Sequence, residues 1–517
     1  MKKNIVFTAS LLSLLAALLF LSSCNTSSQD PLLVKTEAGY VKGITERGVM
    51  AFYGIPYARA ERFMPPTKTE KWDTVMVCDH FGPICYQASN PSEHNIPMSE
   101  DCQVLNVWTK DTQAQVKKPV MLWIHGGGYT AGTSAWNPGM GIAAKDVVFV
   151  SLHHRLNILG FLDLSACGEK YRKSGNQSLL DIVAALEWIR DNISAFGGDP
   201  SNVTIVGESG GGGKVSTLLC MPSAKDLFGK AIVMSGTFHG GNTRELTRQL
   251  GLEVLNQLGI SPAEVEKIND VPYDELSAAG DKAEQIIMER FGADGPFTFV
   301  GFSPTPDGEV VAQLPFTPAF APFSNGKPLI VGTTFNEFTP YPGDITMDEA
   351  KVMLQKSLGA DTDRYIECFM TAWPDSVPGD LLAVDSSIRP TTIELADAAS
   401  KSLGAPVYNY LFNCKAKNTH VAYHGNEVDF AFFNIGNEKD YSDKNADEQH
   451  VSDVMSQAWV NFCYTGDPNV EGEVTWHPYT QENGECFIFQ TNCTVKNNFD
   501  REYQDILSRH PAIYSRH

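Results

Sequence analysis

Positive charge is scarce in this 517-residue chain. Asp and Glu number 61 against 40 Lys and Arg, for a formal net charge of −21, and the basic residues form no cluster. Phosphate backbones are bound by surplus Lys and Arg, so a nucleic-acid partner is excluded by this balance. Metal-binding patterns are missing too: the eleven cysteines include no CxxC pair and no Cys/His spacing suited to zinc. Beyond residue 30 there is no long apolar run, no repeat, no low-complexity tract and no linker. Those absences exclude a spanning helix, a solenoid and a chain of loosely tethered modules. Disorder is excluded by the 43% hydrophobic content.

The one long apolar run comes first. Lys2 and Lys3 precede Ile5 to Leu21, which is short for a membrane span and suits the apolar core of an export signal. The run ends in Leu21-Ser22-Ser23-Cys24, which resembles a bacterial lipobox whose Cys is acylated and becomes the new N-terminus. Residues 1–23 are therefore expected to be a lipoprotein signal peptide, 24–30 a polar tether and 31–517 a single domain. Loss of Lys2 and Lys3 takes the net charge from −21 to −23. The expected place is the bacterial cell envelope, with a lipid anchor as the membrane partner. Such a compartment permits disulfides. Cys85 and Cys102 bracket a loop rich in Asn, Ser and Pro and form a candidate bridge.

Short β-branched runs alternate with helical patterns. Val120–Ile124, Val147–Leu152, Val203–Val206, Ala231–Met234, Leu329–Val331 and Val407–Phe412 predict buried strands. Leu179, Leu180, Val183, Leu186, Trp188 and Ile193 recur at helical spacing, and capped helical stretches fill 244–292. Ser261-Pro262-Ala263-Glu264 predicts a capping box. Alternation of this kind gives an α/β fold with a mainly parallel sheet.

The chemistry centres on Gly207-Glu208-Ser209-Gly210-Gly211, placed directly after the strand at 203–206 and before a helix. A strand, G-x-S-x-G and a helix are the parts of a nucleophile elbow, which lifts the serine to the edge of the sheet. Gly210 to Lys214 reads GGGGK and imitates a phosphate loop. That motif needs Gly six residues before the Lys and Ser or Thr after it, whereas Glu208 and Val215 stand there. The segment His125-Gly126-Gly127-Gly128 follows another strand. Glycines there let backbone N–H groups approach a developing oxyanion, so the oxyanion hole is assigned to Gly127, Gly128 and Gly210. Glu208 is expected to shape the pocket.

The serine needs a base and the base an orienting acid. His424 follows the strand at 407–412, with His420 as competitor and His125, His153 and His154 at other strand ends. Glu337 follows the strand at 329–331, with Asp307 and Asp344 as alternatives.

Taken in order, the motifs settle the choice. They are Phe52-Tyr53-Gly54-Ile55-Pro56-Tyr57-Ala58, Arg62-Phe63-Met64-Pro65-Pro66, Ser99-Glu100-Asp101-Cys102, the His-Gly-Gly-Gly segment, Arg155 to Phe161, Gly175-Asn176-Gln177, Phe196-Gly197-Gly198-Asp199-Pro200, the serine elbow and Gly466-Asp467-Pro468. Together they resemble the type-B carboxylesterases of the cholinesterase-like α/β-hydrolase family, over nearly the whole mature chain. The resemblance implies Glu337 as acid, His424 as base, a Cys85–Cys102 disulfide and ion pairs Arg62–Glu100 and Arg155–Asp181. It implies a serine carboxylesterase acting through an acyl-enzyme on a small-molecule ester, with no cofactor and no metal. The same machinery would also serve an amide, thioester or carbonate hydrolase, and the family includes non-catalytic binding proteins.

Three departures stand out. Gly210 replaces the usual Ala after the nucleophile. Residues 86–101 lack the Trp that holds choline in cholinesterases, which argues against choline esters. No Cys lies between 221 and 367, so a second family disulfide is absent and the helical insert is expected to be looser.

Overall fold

The computed structural model describes residues 30–90, 95–237, 242–291, 300–315, 319–436, 441, 442 and 444–510. The signal peptide, Cys24 and most of the tether lie outside the described residues. One eleven-stranded sheet organises the chain. Its strands are β1 (Ile44–Glu46), β2 (Val49–Pro56), β3 (Val104–Thr109), β4 (Lys118–Ile124), β5 (Val148–Leu152), β6 (Gly198–Glu208), β7 (Lys230–Met234), β8 (Leu329–Thr334), β9 (Val407–Phe412), β10 (Glu485–Phe489) and β11 (Thr494–Asn497). Across the sheet they lie in the order β11-β10-β9-β8-β7-β6-β4-β5-β3-β2-β1. The run from β10 to β5 is parallel. Antiparallel strands close both edges.

The strands read as continuous apolar runs because both faces are covered. On β4, Val120, Leu122 and Ile124 join one core while Met121 and Trp123 join the other. The same alternation sends Ile205 and Val233 to the first core, and Val206, Ile232 and Met234 to the second. Side chains alternate with period two along a strand, so a sheet buried on both sides favours apolar residues on both faces. Each predicted strand exists, and β6 extends beyond 203–206 at both ends.

Helix α1 (Gln177–Asn192) follows the predicted spacing, and α2 (Gly210–Leu218) opens directly after Ser209. The insert contains α3 (Arg244–Gln257) and α4 (Tyr273–Phe291), with a 3-10 segment, Pro262–Asp270, between them. The capping box expected there is incomplete. Ser261 Oγ bonds the Glu264 carboxylate at 2.8 Å, and its side chain caps no backbone N–H. A complete box instead opens α5 (Met347–Leu358) at Thr346 and Glu349. The insert is tied down without a disulfide: Thr247 Oγ1 donates to Asp163 Oδ2 at 2.9 Å, and Asn242 Nδ2 to Ser303 Oγ at 2.9 Å. No helix among the described residues is long and apolar enough to cross a membrane.

The Cys85–Cys102 disulfide is a correction, because both are free, buried thiols. Cys85 Sγ accepts from Leu156 N at 3.3 Å, and Gln103 Nε2 lies 3.8 Å from Cys102 Sγ. Backbone hydrogen bonds close the neck of the loop instead, Ile84 N to Pro97 O at 3.0 Å and Ser99 N to Ile84 O at 2.8 Å. Both implied ion pairs are present. Arg62 grips Glu100 with Nε to Oε2 at 2.6 Å. Arg155 holds Asp181 bidentately at 2.9 and 2.7 Å, with both side chains almost fully buried.

Candidate active site

Ser209 sits in the turn between β6 and α2 with φ 55° and ψ −127°. L side chains rarely adopt that conformation, and it persists only where the surroundings impose it. Here Ser209 N donates to Met234 O at 2.9 Å, and Ser209 O accepts from Gly213 N at 3.0 Å. The turn is fixed from the neighbouring strand and from within its own helix.

Glu337 lies just past the end of β8, fully buried and also at positive φ. Its Oε1 accepts from Ser235 Oγ at 2.7 Å and from Thr334 N at 2.8 Å. Its Oε2 lies 2.5 Å from His424 Nδ1. His424 N donates to Glu337 O at 3.1 Å, so backbone and side chain align the pair together. The other ring nitrogen, Nε2, stands 3.1 Å from Glu208 Oε1 but is poorly aligned for a hydrogen bond. Glu208 thus reaches the imidazole from beside the serine. Catalytic hydrogen bonds are often long or misaligned without substrate.

The electrostatics follow from three buried carboxylates around one imidazole. Burial alone would lower His424, but the Glu337 and Glu208 carboxylates outweigh it and raise the ring to about 9. Burial raises Glu208 to about 7 against the pull of His424. Glu427, fully buried on α6 (Asn426–Ala431), is pushed well above the usual carboxylate range by burial first and by Glu337 and Glu208 next. Its Oε1 lies 3.0 Å from Ser235 Oγ and 3.4 Å from Tyr410 OH.

The other candidates fall elsewhere. His420 is exposed and faces Tyr341, with ring centroids 5.6 Å apart. His125, His153 and His154 are buried behind the glycine loop, and burial lowers all three. His153 does contact a serine, with Nε2 2.8 Å from Ser134 Oγ. Its Nδ1 meets the Pro83 carbonyl at 3.0 Å rather than a carboxylate, so that pair lacks an acid. Asp307 receives the N–H groups of Glu309, Val310 and Val311 in a turn, and Asp344 is exposed.

The glycine loop approaches the elbow closely. Gly127 and Gly128 have φ of 82° and 62°, and a Cβ on Gly126 would stand 3.2 Å from Ser209 Cβ. The Gly210 N–H opens α2, where the first N–H groups have no partner within the helix. Residues missed in the sequence also surround the site: Ser235, Glu427, Lys214, and Phe338. Phe338 is 61% exposed, and its ring lies over His424 with centroids 4.0 Å apart.

The chain matches the carboxylesterase family over residues 30–368 and 381–507. It is 35% identical to the para-nitrobenzyl esterase of Bacillus subtilis (strain 168), over 92% of this chain and 98% of that protein. It is 30% identical to the fumonisin B1 esterase of Sphingopyxis macrogoltabida, over 89% of this chain and 87% of that protein. Among solved structures it resembles an esterase of the anaerobe Clostridium hathewayi, described as able to hydrolyse aliphatic aromatic polyesters. That likeness has a TM-score of 0.84 and 35% identity, covering 92% of this chain and 98% of the other.

Proposed function

The chain belongs to the carboxylesterase family and is a carboxylic ester hydrolase, and from that premise we propose that Ser209, His424 and Glu337 are its catalytic triad. The observation that carries the assignment is the 2.5 Å contact of His424 Nδ1 with Glu337 Oε2, made beside a serine held in a strained turn.

In this reading the imidazole leaves Glu208, and Nε2 takes the proton of Ser209. The serine oxygen attacks the ester carbonyl. The N–H groups of Gly127, Gly128 and Gly210 receive the oxyanion, in a geometry where one lost donor costs ~3–4 kcal/mol. Glu337 fixes the ring tautomer and stabilises the imidazolium. His424 returns the proton to the departing alkoxide, and water then repeats the sequence on the acyl-enzyme. Glu208 lines the pocket and holds the resting imidazole. Ser209→Ala is expected to abolish turnover of a short-chain p-nitrophenyl ester and labelling by a phosphonate; an unchanged rate would refute the assignment.

The substrate class we propose is an ester with an aromatic ring on its acyl or alcohol side, seated against Phe338. Support comes from that exposed ring over His424 and from the aromatic esters named for two of the relatives. Phe338→Ala should raise KM for benzyl esters several-fold while leaving ethyl esters unaffected. A parallel change in both series counts against the ring. The chain is further proposed to be exported and held at the cell envelope by acyl groups on Cys24, on the strength of Leu21-Ser22-Ser23-Cys24.

A further inference from the structure

Helix α2 meets the glycine loop through two residues one turn apart, Gly210 and Lys214. A Cβ on Gly210 would stand 1.9 Å from the Gly128 carbonyl oxygen. Lys214 Nζ donates to that same oxygen at 3.0 Å and reaches the His125 carbonyl at 3.5 Å. Its ammonium lies 5.4 Å from the Tyr129 ring centroid. The lysine is fully buried, and its two hydrogen bonds go to carbonyls rather than to a carboxylate.

A buried amine without a counter-ion is costly, and burial pushes Lys214 down to about 7. The groups that face it are His125, His154 and Tyr129. The two imidazoles stack at 4.8 Å, and burial holds both uncharged, with Lys214 adding to the effect. Burial likewise keeps the Tyr129 hydroxyl protonated. None of these supplies a negative charge. What the lysine does engage is the loop that supplies two of the three oxyanion donors.

We propose that Lys214 is a positioning residue for the oxyanion hole: it pins the Gly128 carbonyl over Gly210, which fixes the Gly127 and Gly128 N–H groups. Gly210 and Lys214 are then one device. The lysine draws the loop into the space that an alanine methyl would fill, so the glycine after the nucleophile and the lysine one turn later require each other. The proposal rests on the assignment of the hole to Gly127, Gly128 and Gly210.

The test compares full-length wild type with Lys214→Met, Lys214→Arg, Gly210→Ala and the double variant Lys214→Met/Gly210→Ala. Phosphonate titration counts active serines in each. An aryl trifluoromethyl ketone, whose hydrate-like adduct places an oxyanion in the hole, reports donor geometry. Lys214→Met should lower kcat about 10- to 100-fold with KM within about twofold. It should weaken the ketone by the same factor, and Lys214→Arg should restore most of both. Gly210→Ala should cost less in the Lys214→Met background than in wild type. Unchanged kcat, equal losses in Met and Arg variants, or additive losses in the double variant would overturn the proposal. If Lys214→Met gives no titratable serine, the other two single variants decide. Ketone affinity kept in Lys214→Arg and lost in Gly210→Ala supports the device, and any other pair of results overturns it. A wild type that fails to titrate at Ser209 would instead overturn the triad.

Discussion

At the scale of single residues, the site is governed by one imidazole between two carboxylates. In the proposed triad neutral His424 is the base, so kcat/KM should rise as pH increases through the pKa of the ring. That pKa is held at about 9 because Glu337 and Glu208 favour the charged form more than burial opposes it. Glu208→Gln removes one of the two carboxylates. The ring pKa should fall, and the acidic limb of the kcat/KM profile should move to lower pH by on the order of one pH unit. A limb that stays in place would show that Glu208 does not act on the ring. Ser209 was legible from its strand, elbow and helix, whereas Glu337 and His424 stood out from Asp307, Asp344 and His420 only through the family resemblance. Ser235 was not, because its role lies in contacts 102 and 192 residues away. Lys214 was visible only as part of a false phosphate loop. Its partner carbonyl comes from a segment 86 residues earlier, which no local pattern announces.

Elements were legible in proportion to their burial. Strand β9 runs Val407–Phe412 as predicted, because every residue in it is buried and all but Asn409 are apolar or aromatic. The Ser261 segment was less legible, because Ser and Glu three positions apart satisfy each other as readily as they satisfy a helix start. The same limit applies to close packing between elements. On α3, a Cβ at Gly251 would stand 1.9 Å from the Asp163 carbonyl oxygen. Gly251→Ala should therefore destabilise the insert by ~1–3 kcal/mol through overpacking, despite the better helix propensity of alanine. Thermal unfolding would read this as a lower midpoint, and a raised midpoint would show that α3 has room to shift. Helical periodicity marks Gly251 only as a weak helix residue. The reason for it lies in a loop that the fold brings alongside.

For the whole molecule, Glu337 lies 128 residues and His424 215 residues beyond Ser209, yet one sheet brings their strands side by side in the order β6-β7-β8-β9. Two cores, one on each face, pack against the same strands. The surplus of acid was legible from composition alone, and it bears on the proposed anchor. A chain with net charge −21 is not drawn electrostatically to an anionic membrane surface. Membrane retention would then depend on the acyl chains. Cys24→Ser should move the protein from the membrane fraction to the soluble fraction at low and high salt alike. Recovery with membranes after that change would refute the anchor.

The sheet has one more consequence. Neighbouring strands in a sheet are rotated by roughly 20–25°, always in the same hand. The edge strands β1 and β11 share in that twist and are only three and four residues long. A second copy offering its own edge would find the ladder turning away after a few residues. Twist and short edge strands together therefore disfavour strand-by-strand growth into fibres at either edge.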